Sequence, residues 1–200
     1  MKKITIIVAA LVIVAAIGVI ACNSSQSRPK NKEGISNTTV SKDSLIKRGK
    51  YLVAIMGCHD CHSPNIMTPI GPAKDTTRLL SGHPSNITLP KFNKDYTKLW
   101  ALFSLTGTAM AGPWGVSYAA NLTSDATGIG NWTEQQFFKA IREGKFKGLD
   151  NARTLLPPMP WPIYGKASDE DLRAIFAYLK STPPVNNVVP EPIAAALAKK

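Results

Sequence analysis

The sequence predicts a single all-α domain over residues 44–184, with flanking segments that do not join its core. The chain has 200 residues, which leaves room for one modest domain and extended ends. Three separate stretches repeat apolar residues at the three- and four-residue spacings of amphipathic helices. Between the first and the last of them lies a long region rich in Gly and Pro. Helices at both ends and an irregular middle are therefore expected.

The first 21 residues have the features of an export signal. Lys2 and Lys3 form a positive start, and an uncharged apolar run follows over residues 4–20. Ala21 directly before Cys22 resembles the lipobox of bacterial lipoproteins. That resemblance implies that Cys22 becomes the acylated N-terminus and attaches the protein to a membrane. The alternative is an uncleaved transmembrane helix, although the run is at the short limit for one. Both interpretations export the domain.

Residues 22–43 are mostly Ser, Asn, Lys and Thr and bury too little apolar surface to fold, so they are expected to form a flexible tether. The formal charge of +11 falls to +9 once Lys2 and Lys3 are removed. Such a basic excess attracts an acidic protein face or an anionic surface. A nucleic-acid partner is excluded, because no helix-turn-helix, zinc-finger or stacked-aromatic pattern is found.

The first helix is expected to begin near Ser44 and to end at Gly57, with its apolar face spaced at Leu45, Ile46, Gly49, Leu52, Val53 and Met56. The middle region, residues 63–160, contains two helical patches. The first covers residues 94–105. The second covers residues 133–143, where Thr133 and Gln136 have capping-box spacing.

The last helix is predicted over residues 168–180, because Ser168 and Asp171 are spaced as cap and N3 partner and acidic residues fill the first turn. The prolines at 183 and 184 end it, and residues 185–200 form a C-terminal tail. The irregular middle is longer than a compact domain usually tolerates. A large buried prosthetic group would explain it, because irregular segments can wrap a cofactor that serves as the core.

The decisive motif is Cys58-His59-Asp60-Cys61-His62, which matches the Cys-x-x-Cys-His signature of covalent haem attachment. Two thiols three positions apart can add to the two vinyl groups on one edge of a haem. The histidine that follows is then directed at the iron. We therefore expect thioether bonds at Cys58 and Cys61 and an axial bond from His62, with His59 at the surface.

Two other interpretations of the motif were weighed. A thioredoxin-type redox pair requires a strand before the motif, whereas a helix precedes it here. A zinc site requires further ligands, and His83 is the only other Cys or His outside the motif in the mature domain.

The chain resembles the class I cytochromes c, over residues 44–184. The segments Arg48-Gly49-Lys50-Tyr51-Leu52, Asn121-Leu122-Thr123 and Pro158-Met159-Pro160-Trp161 are similar to the cytochrome subunits of bacterial periplasmic dehydrogenases. The resemblance implies crossed terminal helices around a covalent haem, with Gly49 allowing close approach near Tyr178. Those subunits often carry several haem motifs, whereas this chain has one, so one haem c is expected.

The second axial ligand must come from elsewhere in the chain, where Met56, Met67, Met110 and Met159 offer thioethers and His59 and His83 offer imidazoles. Met159 lies in a loop stiffened by four prolines, although a methionine among apolar residues is often only packing. The resemblance implies that Met159 is the ligand.

Two supporting roles are expected. Trp161 is the tryptophan expected to pack on the haem ring or to hydrogen-bond a propionate, because it lies beside Met159 in the sequence. The resemblance places the Pro72 carbonyl on the ring N–H of His62, with Pro69 as the alternative for that carbonyl.

His62 and Met159 together would leave no open position for a substrate on the iron, so the expected function is outer-sphere electron transfer rather than catalysis. The partners would be a redox protein donor and acceptor, with the domain held at a membrane through Cys22 on the outer side of the cell membrane or in the periplasm. Two alternatives stay open. One is a haem sensor or enzyme with a displaceable sixth ligand. The other is a fixed electron-transfer subunit of a dehydrogenase or oxidase.

Overall fold

The structure is a computed structural model that describes residues 41–195. The predicted signal peptide, Cys22 and nearly all of the predicted tether lie outside the described residues. The described helices are α1 (Lys42–Ile55), α2 (Cys58–His62), α3 (Glu134–Glu143), α4 (Trp161–Tyr164) and α5 (Asp169–Ser181), with short 3-10 helices at Lys94–Lys98 and Phe146–Gly148. No helix among the described residues is long and apolar enough to span a membrane.

The prediction of an all-α domain is wrong, because the irregular middle contains two antiparallel sheets. The first is a hairpin of β1 (Asn65–Thr68) and β2 (Gly71–Lys74). The second has the order β3-β4-β5-β6, formed by Leu102–Phe103, Ala109–Gly112, Gly115–Tyr118 and Ile193–Ala194. Strands of two to four residues containing Gly, Pro and Ala carry no alternating apolar pattern. Backbone pairing defines them: β1 with β2, β3 with β4 and β4 with β5 are neighbours in sequence, whereas β6 reaches β5 from the C-terminal tail.

The helix predicted over residues 94–105 is also wrong beyond its first turn. Asn93 caps a 3-10 helix that covers only Lys94–Lys98. Leu102 and Phe103 then pair with Ala111 and Met110 in the sheet. Tertiary pairing outweighs the weak local helix preference of this stretch.

The two terminal helices, α1 and α5, pack against each other as the resemblance implied. The contact is closest at Gly49, where an added Cβ would lie 1.9 Å from the carbonyl oxygen of Ala174 and 2.7 Å from Cβ of Tyr178. Only glycine permits this approach. The side chains of the core around this contact include Leu52, Val53, Leu80, Ile129, Phe137, Leu172, Ile175 and Leu179.

The predicted start signals of α3 and α5 are confirmed, and Ser168 caps α5. The first helix begins earlier than the predicted start near Ser44, because the Ser41 side chain caps α1. Thr133 and Gln136 form a complete capping box on α3, which ends at Gly144 with φ of +66°. Phe137 of α3 stacks on Phe176 of α5 with ring centroids 5.2 Å apart. These contacts fix α3 beside the terminal pair.

The first part of the C-terminal tail lies along the domain and is bound to it. Asn187 is buried, and its amide donates to the carbonyls of Ser81 and His83 at 2.7 and 2.9 Å. Asn121 donates to the Val185 carbonyl at 2.8 Å. The tail thereby holds residues 81–85 and 121 in place beside the segment that carries the site.

Candidate functional site

The Cys-x-x-Cys-His motif forms a helical turn of its own directly after α1. Gly57 separates the two helices with φ of +68°, a conformation that suits glycine. Both thiols, Cys58 and Cys61, are free and partly buried. Burial raises the pKa of Cys58 to about 11 and also raises that of Cys61. The thiols therefore lack the depressed pKa of a thioredoxin-type pair. Although a short helix does begin at Cys58, the element before it is a helix and not a strand.

His62 is oriented by one backbone carbonyl. Its Nδ1 lies 2.7 Å from the carbonyl oxygen of Ala120, so Nδ1–H is the donor and the lone pair is on Nε2. Burial lowers the pKa of His62, which favours the neutral imidazole. A neutral ring with its Nδ1–H bound to a carbonyl is the state in which histidine binds a metal through Nε2.

The predicted hydrogen bond from His62 to the Pro72 carbonyl is wrong, because Ala120 provides the acceptor. Pro72 lies instead in β2 of the first hairpin, paired with Met67 and exposed to solvent. The hairpin follows the motif closely, and Pro72 lies in its second strand rather than against the His62 ring. Any contact of Pro72 with a haem stays a prediction.

Met159 lies in a loop that hydrogen bonds hold at its start, near its centre and after its end. At its start, Leu155 N–H donates to the Gly144 carbonyl at 2.7 Å. Near its centre, Ser117 Oγ lies 2.5 Å from the carbonyl oxygen of Pro157. At its end, Met159 leads directly into α4, whose Tyr164 hydroxyl donates to the Met56 carbonyl. Met56 is two residues before Cys58, so the methionine loop is fastened to the motif itself.

One short segment, residues 117–120, supports both predicted axial ligands. Its first residue, Ser117, contacts the loop of Met159. Its last residue, Ala120, accepts from His62. Ser117 and Tyr118 of this segment pair with β4, and Ala119 N–H donates to the Thr108 carbonyl at 2.8 Å. The structure thus brings His62 and the loop of Met159 onto one rigid support, although they are nearly 100 positions apart in sequence.

Trp161 packs on the end of α3. An added Cβ on Gly144 would lie 2.4 Å from Trp161 Cε2, so the indole ring covers the backbone there. Arg142 fastens the residues after α4 by donating to the carbonyls of Gly165 and Ala167 at 2.6 and 3.0 Å. These contacts position the residues that follow Met159. A contact of Trp161 with a haem stays a prediction.

The surroundings of four other candidate ligands, His83, Met110, Met67 and His59, differ from those of Met159. His83 is fully buried, with Nδ1 2.9 Å from Thr108 Oγ1 and Nε2 3.1 Å from the Ile87 carbonyl, so both ring nitrogens have partners. Met110 is buried within β4, and Met67 is 63% exposed on the hairpin. His59, expected at the surface, is partly buried with Nδ1 2.8 Å from Ser63 Oγ.

The donor set fits a haem c. Two free thiols stand at the attachment spacing. A neutral imidazole has Nδ1 bound, and no hydrogen bond in the described part of the chain involves its Nε2. A thioether, Met159, is carried on a loop tied to the same segment. Soft sulfur and imidazole are the ligands that haem iron takes in cytochromes c.

Comparisons with known proteins find cytochrome subunits of dehydrogenases. The chain is 35% identical over 137 residues to the gluconate 2-dehydrogenase cytochrome c subunit of Pantoea cypripedii, covering 68% of the chain and 23% of that protein. It is 29% identical over 146 residues to the cytochrome c subunit of the quinone alcohol dehydrogenase of Gluconobacter oxydans (strain 621H), covering 72% of the chain and 23% of that protein. It is 41% identical over 78 residues to the fructose dehydrogenase cytochrome subunit of Gluconobacter japonicus, covering 38% of the chain and 15% of that protein.

The chain is a homologue of dehydrogenase cytochrome c subunits. The resemblance stated from the motifs is thereby confirmed, and the relatives support a haem c cofactor and an electron-transfer role rather than catalysis. The chain spans no more than about a quarter of the length of each of these relatives. No protein-family model matches it.

Three groups of the candidate site in this chain were not predicted from the sequence: the Ala120 carbonyl, the Ser117 hydroxyl and the Tyr164 hydroxyl. A carbonyl has no sequence signature, so the only signal was that Ala120 directly precedes the Asn121-Leu122-Thr123 segment of the resemblance. Ser117 and Tyr164 are ordinary polar residues in short elements. Their roles follow from long-range contacts that a single sequence does not reveal.

Proposed function

We propose that this chain is an electron-transfer protein, an exported c-type cytochrome that carries one haem and passes single electrons between protein partners. The observation that carries the proposal is the shared segment, residues 117–120, which binds His62 at one end and the loop of Met159 at the other. The homologous cytochrome c subunits support the same class of function. A bound haem c would supply an iron that changes charge by one electron.

The residues of the chain would hold that group and close it to substrates. Cys58 and Cys61 would attach its edge, and His62 would bind through Nε2. Met159 would be a second, weak ligand of the iron, and a thioether favours the reduced state and raises the potential relative to two histidines. The rigid supports described above would spare the iron a large rearrangement between its two charge states. One Cys-x-x-Cys-His motif in the chain supports one haem.

We propose as donor the catalytic subunit of an exported dehydrogenase, because the relatives' names describe cytochrome c subunits of dehydrogenases. We also propose attachment through an acylated Cys22, on the evidence of the sequence pattern alone. A Cys22→Ser variant should move from the membrane fraction to the soluble fraction. Retention of that variant in the membrane fraction would argue against lipid anchoring.

A fixed subunit of such a complex is favoured over a free shuttle by apolar side chains on the surface. Ile70 at the tip of the first hairpin is 99% exposed, and Leu99 and Leu105 are 92% and 79% exposed. Leu99 and Leu105 lie in one segment, next to Thr106, whose carbonyl accepts from Asn65 N–H at the base of the hairpin at 2.8 Å. Exposed apolar residues grouped in one region are typical of protein interfaces. The electron-transfer chemistry is the same in both cases.

The proposal is tested by the visible spectrum of the haem-loaded protein, oxidised and reduced, with carbon monoxide added to the reduced form. We expect a sulfur-to-iron charge-transfer band and no rapid carbon monoxide binding. Both properties should be lost in Met159→Ala, because that change opens the sixth position. The matched control is Met110→Ala, which removes a thioether from the core and should keep both properties. Rapid carbon monoxide binding by the unaltered protein would instead indicate a sensor or an enzyme.

A further inference from the structure

Ser117 makes a contact that the formation of the sheet does not require. It lies in β5 opposite Met110, and its side chain is directed away from the strand pairing toward the methionine loop. Its Oγ is 2.5 Å from the Pro157 carbonyl oxygen and 3.3 Å from the Met110 carbonyl oxygen. A hydroxyl has one proton, and hydroxyl hydrogen bonds are normally 2.5–3.0 Å long. The proton therefore goes to Pro157, two residues before Met159.

The hydroxyl is itself oriented by Trp114. The indole Nε1–H lies 3.3 Å from Ser117 Oγ and can only donate. The ring is brought there by Gly112, whose absent side chain leaves room for it: an added Cβ would lie 2.3 Å from Trp114 Cη2. Trp114 thus occupies the acceptor side of the hydroxyl. The single hydroxyl proton of Ser117 is therefore free to bind the Pro157 carbonyl.

Ser117 is also buried, with 7% of its surface exposed. Pro157 itself is exposed, so the bond between the two residues is partly buried, and its loss leaves the Pro157 carbonyl without its protein partner. A neutral thioether is a weak ligand, so its occupancy depends on how firmly its backbone is held. Met159 N–H donates to the Leu156 carbonyl within the loop at 3.3 Å, and the bond from Ser117 to Pro157 joins this part of the loop to the second sheet.

We propose that Ser117 is a positioning residue for the sixth ligand: its hydroxyl, oriented by Trp114, holds the Pro157 carbonyl so that Met159 stays on the iron. The inference rests on the proposed function, because it takes Met159 as that ligand. Loss of the hydroxyl should loosen the loop without changing the fold. External ligands that compete with Met159 should then bind more tightly, because they displace a less firmly held loop.

The test is a titration of the oxidised haem-loaded protein with imidazole, followed by the loss of the sulfur-to-iron charge-transfer band. In Ser117→Ala the apparent affinity for imidazole should rise about fivefold, the change expected from one partly buried hydrogen bond. Ser117→Thr keeps the hydroxyl and should stay within about twofold of the unaltered protein. Trp114→Phe removes the orienting N–H and should shift the affinity in the same direction as Ser117→Ala, by a smaller factor.

The matched control is Ser124→Ala. Ser124 Oγ also donates to a backbone carbonyl, that of Thr182 at 2.6 Å, but it fastens the end of α5 and not the methionine loop. This variant should lose a comparable amount of global stability to denaturant and keep the imidazole affinity. Equal effects of Ser124→Ala and Ser117→Ala on imidazole binding would overturn the positioning role.

The outcomes separate this inference from the proposed function. If Ser117→Ala binds imidazole as the unaltered protein does while Met159→Ala abolishes the band, the site stands and the role of Ser117 is wrong. If the unaltered protein lacks the charge-transfer band, or if Met159→Ala keeps it, the proposed ligand Met159 and the positioning role of Ser117 are both overturned, because the loop then carries no ligand. Should Ser117→Ala fail to fold, Trp114→Phe decides the question by the same titration.

Discussion

At the scale of single residues, Arg142 holds the segment that follows the methionine loop. Its guanidinium donates to the Gly165 and Ala167 carbonyls and also pairs with Asp169. Those three groups connect α4 to the first turn of α5. The planar fork of arginine suits several acceptors at once, which a lysine cannot match. One side chain thus joins α3, the loop after α4 and the start of α5.

Replacing Arg142 by alanine should therefore lower the free energy of unfolding by about 1.5 kcal/mol, because two carbonyls and one carboxylate lose a shared partner at a partly exposed site. Chemical denaturation of the haem-loaded protein measures this change.

The matched control is Arg173→Ala. Both guanidinium groups lie near the Phe138 ring, at 5.9 Å for Arg142 and 5.8 Å for Arg173. Arg173 otherwise makes one exposed ion pair with Glu134, so its loss should cost less than about 0.5 kcal/mol. Equal costs for the two variants would show that the carbonyl contacts of Arg142 contribute nothing.

At the scale of elements, the crossing of α1 and α5 depends on Gly49. Its backbone lies against Ala174 and Tyr178 with no space for a methyl group. Both helices also carry core side chains on the contacting faces, among them Leu52, Val53 and Leu172. A change at this crossing moves the end of α1, where the haem motif begins.

Gly49→Ala should destabilise the fold by about 2 kcal/mol, because overpacking outweighs the better helix propensity of alanine. Thermal or denaturant unfolding, compared with the neighbouring exposed variant Lys50→Ala, measures the effect. The control should change stability by less than about 0.5 kcal/mol. Stability of Gly49→Ala equal to or above that of the unaltered protein would contradict the tight crossing.

The elements also show how much of the fold could be predicted from sequence. The helices α1, α3 and α5 were predictable because each has an apolar stripe and a polar cap, such as Thr133 on α3. The second sheet was not, because its strands hold only two to four residues and β4 is buried throughout, with no alternation of apolar and polar residues. The pairing of β6 with β5 also joins segments far apart in sequence, which local sequence does not encode. An irregular middle was expected in its place.

The site was predictable to a similar degree. The motif residues Cys58, Cys61 and His62 are contiguous, and covalent haem attachment fixes their spacing. The carbonyl that orients His62 was assigned to Pro72 and belongs to Ala120, because the hairpin inserted after the motif moves the proline away. Every residue type has a backbone carbonyl, so the sequence does not reveal which one accepts from His62. The identity of the acceptor follows only from the fold.

At the scale of the whole molecule, three distant parts of the chain meet at one place: the motif after α1, the strand segment 117–120 and the methionine loop before α4. The C-terminal tail closes this arrangement through Asn187 and β6. Such an arrangement suits a group that must stay closed and rigid while it changes charge by one electron. Under the proposed function, Met159 on the iron would leave no position there for a substrate.

The most direct test of the central claim is a reversible redox titration of the purified haem-loaded chain, with the number of electrons counted per chain. The account predicts a single one-electron transition, one electron per chain, and a lower midpoint potential in Met159→His, because imidazole favours the oxidised iron more than a thioether does. Several transitions, more than one electron per chain or an unchanged potential in Met159→His would contradict a single His62/Met159 carrier.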